Sequence, residues 1–169
     1  MAAKPPVITQ VRWRAVAIHL LIYAAAVVIA SLLLGRDSNP VLAGVAPVFV
    51  WSLSSRYLVA RHQRRGVRLM KAHEYDAAIT SFEASYAFFS NHRWLDRYRA
   101  FVLMSASAIP YREMALANVA FCHSQAGRGA EAKAAYQRTL SEFPSSGLAQ
   151  AALRLIQSAE NASPSSDAA

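Results

Sequence analysis

Arg112–Ser146, REMALANVAFCHSQAGRGAEAKAAYQRTLSEFPSS, reads as two short amphipathic helices around the turn Ala126-Gly127-Arg128-Gly129. In the first helix Leu116, Val119, Ala120 and His123 share one side. In the second, Ala132, Ala135, Tyr136, Thr139 and Leu140 do. Apolar residues recurring at spacings of three and four mark the buried face of a helix. Neither helix can bury its face alone, so the pair needs neighbours.

This stretch resembles a tetratricopeptide repeat, a helix–turn–helix unit of about 34 residues. The positions that carry the resemblance are Ala120 in the first helix, Gly127 at the turn, Ala132 and Tyr136 in the second helix, and the closing Pro144. Leu116 and Val119 take the large apolar places, and Thr139 the later small one. His123 stands where an aromatic is usual. A second copy lies upstream in Gly66–Ser90, where the same offsets meet Gly66, Leu69, His73, Ala78, Phe82 and Ser85. Its front half departs from the pattern, with Arg65 at an apolar place and His73 for the turn glycine. The resemblance implies protein–protein binding in a concave groove lined by the first helix of each pair. The expected groove positions are Arg65, Arg68, Leu69, Asn118, Phe121, Cys122 and Gln125.

Upstream, the chain changes character. Ala15–Leu34, AVAIHLLIYAAAVVIASLLL, carries no formal charge. A helix of about 20 apolar residues spans a bilayer core of about 30 Å. A cleaved signal peptide has a shorter apolar core, of about 7–15 residues, and a small-residue cleavage site. This run is longer and ends in Leu-Leu-Leu-Gly-Arg, so a retained span is expected. Val41–Ala60, VLAGVAPVFVWSLSSRYLVA, is a second expected span, with Pro47 inside it and Arg56 near its end beside Tyr57. Gly35-Arg36-Asp37-Ser38-Asn39-Pro40 forms the turn between them, with Gly after one helix and Pro starting the next. Ala26, Ala30, Ala43, Gly44 and Ala46 are small enough for close helix approach.

The net charge of +8 is unevenly placed. Residues 1–71 hold ten Lys and Arg against the single acid Asp37, while the rest of the chain is close to neutral. The basic charge flanks the apolar runs rather than covering a folded domain, which speaks against nucleic acid as partner. Arg12-Trp13-Arg14 suits a membrane–water interface. Arg61, Arg64, Arg65, Arg68 and Lys71 follow the second run, and the connecting turn is neutral. Excess Lys and Arg stays on the cytoplasmic side, so both termini and the helical domain are expected there.

Asn91–Tyr111 separates the two pairs. Trp94, Leu95, Tyr98, Phe101, Val102, Met104 and Ile109 run at helical spacing behind the candidate N-cap Asn91, and Pro110 closes the run. An extra helix is expected here, packed between the pairs or lying across the groove. A last helix over Ser145–Ala159, capped by Ser145 or Ser146, would bury Leu148, Ala151, Ala152, Leu155 and Ile156. Repeat arrays end in such a cap.

Chemistry is sparse. His62, His73, His92 and His123 are far apart, and His19 lies inside the first apolar run. His73-Glu74 lacks the second histidine of a zinc-protease helix, and one cysteine, Cys122, supplies no zinc pair. Cys122 and His123 point about 100° apart on a helix. Gly127-Arg128-Gly129 lacks the Lys-Ser/Thr of a phosphate loop. No cofactor, metal or catalytic group is expected.

The expected architecture is all-α. Residues 1–14 form a flexible tail and 15–60 a two-span membrane hairpin. Residues 61–160 form a tetratricopeptide-like α-solenoid with an intervening and a capping helix, and 161–169 a disordered tail. The expected function is that of a non-catalytic adaptor, scaffold or assembly factor held at the lipid bilayer, with a protein partner. A self-associating structural membrane protein is the alternative.

Overall fold

A computed structural model of the protein describes residues 13–34 and 39–162, without the side chains of Arg56 and Ala162. Residues 1–12 and 163–169 of the two expected tails, most of the turn between the apolar runs, and the Arg56 side chain lie outside the described residues, while Trp13, Arg14, Asn161 and Ala162 of those tails are helical. Among the described residues the chain is helical and has no strand. The helices are α1 (Trp13–Leu34), α2 (Pro40–Val59), α3 (Arg61–Lys71), α4 (Tyr75–Asn91), α5 (Arg93–Arg97), α6 (Arg99–Val102), α7 (Tyr111–Gln125), α8 (Gly129–Glu142) and α9 (Gly147–Ala162). They fall into two compact units. One holds α1 and α2 with the segment His92–Pro110; the other holds His62–Asn91 and Tyr111–Ala169.

In the first unit α1 and α2 pack against each other. Both are long and apolar enough to cross a membrane. Asn39 starts α2 by accepting the Leu42 N–H on its side chain at 3.2 Å, one residue before Pro40. The helices approach closely at Gly44: a Cβ there would lie 2.7 Å from the Ala26 carbonyl and the Val27 backbone. Ala30 is buried, and Ala43 is half-buried. Ala46, expected among the contact residues, is exposed instead. Most of the remaining α1 and α2 surface is apolar and bare of protein, including Leu32 and Leu33, each 79% exposed.

The segment 92–110 differs from the single helix expected. Asn91 ends α4 rather than capping a new helix. The helix breaks at Tyr98, and the chain leaves helix after Val102. The cause is Arg99. Its buried guanidinium donates to the carbonyls of Asp96 (2.8 Å), Ser107 (3.2 Å) and Ala108 (2.8 Å). Folding the following loop back onto Arg99 satisfies the cation with backbone oxygens, and a continuous helix would carry those carbonyls away. Met104 takes a left-handed φ of 46° within that loop. The segment belongs to the compact unit of the apolar helices, not to that of the helix pairs.

The second unit is built from two helix–turn–helix pairs, α3–α4 and α7–α8, followed by α9. Both turns close in the same way. Gly127 has φ 75°, with its N–H donating to the Ser124 carbonyl and the Arg128 N–H to the His123 carbonyl. His73 has φ 62°, with its N–H donating to the Met70 carbonyl and the Glu74 N–H to the Leu69 carbonyl. Each is the double hydrogen bond that ends a helix at a left-handed residue. Histidine occupies that conformation at His73 against the usual side-chain penalty of about 1–2 kcal/mol. Buried positions also correspond: Ala78, Phe82 and Ser85 in α4 match Ala132, Tyr136 and Thr139 in α8, and Gly66 matches Ala120. A Cβ on Gly66 would sit 2.7 Å from the Phe82 ring, so the smallest residue stands where the largest neighbour packs.

Packing runs α4 on α7, α7 on α8 and α8 on α9. One core joins Ala78, Phe82, Val119 and Cys122, covered by Val67, Leu69 and Met70 of α3. A second joins Ala120, Tyr136, Ala149 and Leu153. Because α7 is covered from two sides, Ala115, Leu116, Ala117, Val119, Ala120 and Cys122 are all buried, a wider band than its expected face. In α9 the buried phase differs from the expected one. Ala149 and Leu153 face the core, and Leu155 is 73% exposed. Ser146, not Ser145, caps the helix, accepting the Ala149 N–H.

Candidate functional site

The expected groove positions lie on α3 and α7. Arg65 and Arg68 are exposed on α3, and Gln125 is exposed at the end of α7. Asn118 and Phe121 are half-buried. Two positions pack on the core of the unit. Cys122 is fully buried between Ala78, Phe82 and Val119, and Leu69 packs on the same core. The reason is that α7 presents Cys122 to α4, the second helix of the preceding pair, so this side of α7 is an inter-helix contact. Burial pushes the Cys122 thiol up to about 11, against a smaller opposing effect of the Arg128 cation. At neutral pH it is an inert, protonated core side chain.

A polar cluster holds the two pairs together. Arg112 at the start of α7 donates to Glu142 at 2.5 Å and to the Ser90 hydroxyl at 3.1 Å. Its guanidinium stands 5.5 Å from the Tyr86 ring centre and 5.4 Å from that of Phe143. The Tyr86 hydroxyl donates to the other Glu142 oxygen. Arg138 covers Tyr86 at 4.8 Å and pairs with Glu83 at 3.0 Å. Arg128 reaches Asp76 at 2.5 Å. Exposed pairs of this kind contribute about 0–1 kcal/mol each. Arg112 is better placed, because its cation lies between two ring faces with its carboxylate partner only a quarter exposed. Glu83, Tyr86 and Ser90 share a face of α4, and Arg138 and Glu142 a face of α8, at helical spacing. That spacing places each set on one helix but does not pair one set with the other, so the cluster was missed.

In the unit of apolar helices, the His19 imidazole Nε2 donates to the Ala100 carbonyl at 2.8 Å. The histidine inside the first apolar run thus ties α1 to α6. Among the described residues no three His, Cys, Asp or Glu side chains converge in a way that could hold a metal ion. Cys122 and His123 diverge: the thiol is buried toward α4, while His123 is half-buried. No family model, no curated protein and no solved structure matches the chain.

Proposed function

We propose that the protein is a membrane-anchored helical-repeat module that binds another protein, an adaptor, scaffold or assembly factor without catalysis of its own. The observation that carries this reading is the correspondence of the two helix–turn–helix pairs. They share the left-handed closing turn, at His73 and at Gly127, and the buried small–aromatic–small set of the second helix. That correspondence is what a tetratricopeptide-like array would have, with α9 as its cap. In such an array α3 and α7 line the concave side, and Arg65, Arg68 and Gln125 are exposed residues for a ligand to meet. Asn118 and Phe121 would form the half-buried floor.

The anchor is the pair α1–α2, apolar around its circumference. Under the charge rule both termini and the repeats face the cytoplasm, because the cations lie at the outer ends of the hairpin. Restricting a binder to the membrane plane raises its encounters with other membrane proteins.

The test is capture of the full chain, cross-linked in cells and extracted in mild detergent, beside the double variant Arg68→Glu, Gln125→Lys. Both residues are exposed, so the fold is expected to keep its melting temperature. A partner retained by the native chain and lost from the variant supports the adaptor reading. Recovery of only further copies from both would replace it by self-association.

A further inference from the structure

We infer that Trp94, Tyr98 and Phe101 form a membrane-contacting wedge, seated at the headgroup–acyl boundary on the face where α1 begins and α2 ends. The inference rests on the reading of α1 and α2 as membrane spans. The three rings are 56%, 51% and 53% exposed, on a segment whose other side is closed. Leu95, Leu103 and Met104 are buried, and Arg99 holds the backbone by three carbonyl bonds. The rings are therefore displayed by an ordered scaffold, not left over from a loose loop. Trp94 stands on α5, Phe101 on α6 and Tyr98 at the break between them.

The occupant follows from where the segment is fixed. The carbonyl of Ala100, the residue before Phe101, accepts the His19 N–H, and α6 packs on α1. His19 lies six positions into α1, about 9 Å along the axis from its start at Trp13. Amphipathic elements at membrane surfaces bury their apolar face about 5–10 Å into the boundary layer. The segment thus sits at the depth where Trp and Tyr are favoured. On α1, to which this segment is tied through His19, Leu20 and Leu21 next in sequence are 65% and 69% exposed. Arg93 and Arg97 are exposed beside Trp94 and Tyr98, cations suited to lipid phosphates. The Ser107 and Ala108 carbonyls accept from Arg99, as non-helical backbone near hydrocarbon requires.

The experiment uses the full chain reconstituted in phosphatidylcholine vesicles containing some phosphatidylglycerol. Trp13→Phe with Trp51→Phe leaves Trp94 as the sole tryptophan. Trp13→Phe with Trp94→Phe leaves Trp51, which lies within α2. Both variants are first matched to the native chain by circular dichroism. The expected result is blue-shifted Trp94 emission, shielded from aqueous iodide. It should be quenched more strongly by lipids brominated high on the acyl chain than by lipids brominated near the chain end. Iodide-accessible Trp94 with lipid-quenched Trp51 overturns the wedge and leaves the anchor standing. Trp94 shielded from iodide yet unaffected by either bromolipid also overturns it, in favour of a protein contact. Loss of lipid quenching at both tryptophans removes the anchor and the wedge together.

Discussion

Cys122 shows how one side chain reports on the whole compact helical unit. Its thiol lies in the core shared by α3, α4 and α7, and burial raises its pKa from 9.0 to about 11. Between those values the unfolded chain loses the proton and the folded chain keeps it, so stability falls as pH rises. Tyr136 acts in the same direction from 10.0 to about 12, mainly through burial. The melting temperature of the protein in detergent is expected to be insensitive to these groups below pH 9 and to drop above it. Cys122→Ala should shift the onset of that drop upward, and a maleimide should label Cys122 at neutral pH only after denaturation. Ser85 offers a second test. It is 1% exposed and its hydroxyl has no hydrogen-bond partner, whereas Thr139 at the matching place donates to the Ala135 carbonyl at 2.9 Å. A buried unpaired hydroxyl costs about 1–3 kcal/mol. Ser85→Ala is expected to stabilise by about 1 kcal/mol, read as a higher melting temperature, while Thr139→Ala should destabilise.

At the scale of elements, legibility followed the strength of the local pattern. The apolar runs read as Ala15–Leu34 and Val41–Ala60 appear as Trp13–Leu34 and Pro40–Val59. Such runs need no partner to be recognised. The turn at Gly127 was equally plain, because a left-handed residue after a helix favours glycine. The segment 92–110 was misread because its apolar spacing is helical while its shape is set by Arg99 reaching carbonyls as far as Ala108. That is tertiary chemistry with no periodic trace. In α9 apolar residues cover more than half the circumference, and contact with α8 selects Ala149 and Leu153 over Ala151 and Leu155. The burial of Cys122 is not legible in the spacing of α7 alone, because that spacing does not reveal which side of the helix meets α4. The hairpin gives the element-scale prediction. At Gly44 a side chain meets the Ala26 and Val27 backbone, which cannot move without separating the helices, whereas Ala46 is exposed. Gly44→Ile is expected to lower the thermal stability of the protein in detergent, and Ala46→Ile to leave it nearly unchanged.

For the whole molecule, an apolar helix pair precedes a compact helical unit that exposes Arg65 and Arg68 on α3 and Gln125 at the end of α7. Under the proposed repeat reading, two pairs are fewer than the roughly three that usually sustain an array. In this chain α9 covers one end, and the cluster of Arg112, Glu142 and Tyr86 fastens one pair to the other. The proposed binding of another protein by α3 and α7 at the membrane can be probed in cells. Its most direct test is a photo-activated cross-linker placed in the full chain in cells, in turn at Gln125 on α7 and at Glu131, exposed on α8. The account predicts a discrete product with a different protein from Gln125 and none from Glu131. Products of equal strength from both, or products containing only this chain, would contradict it.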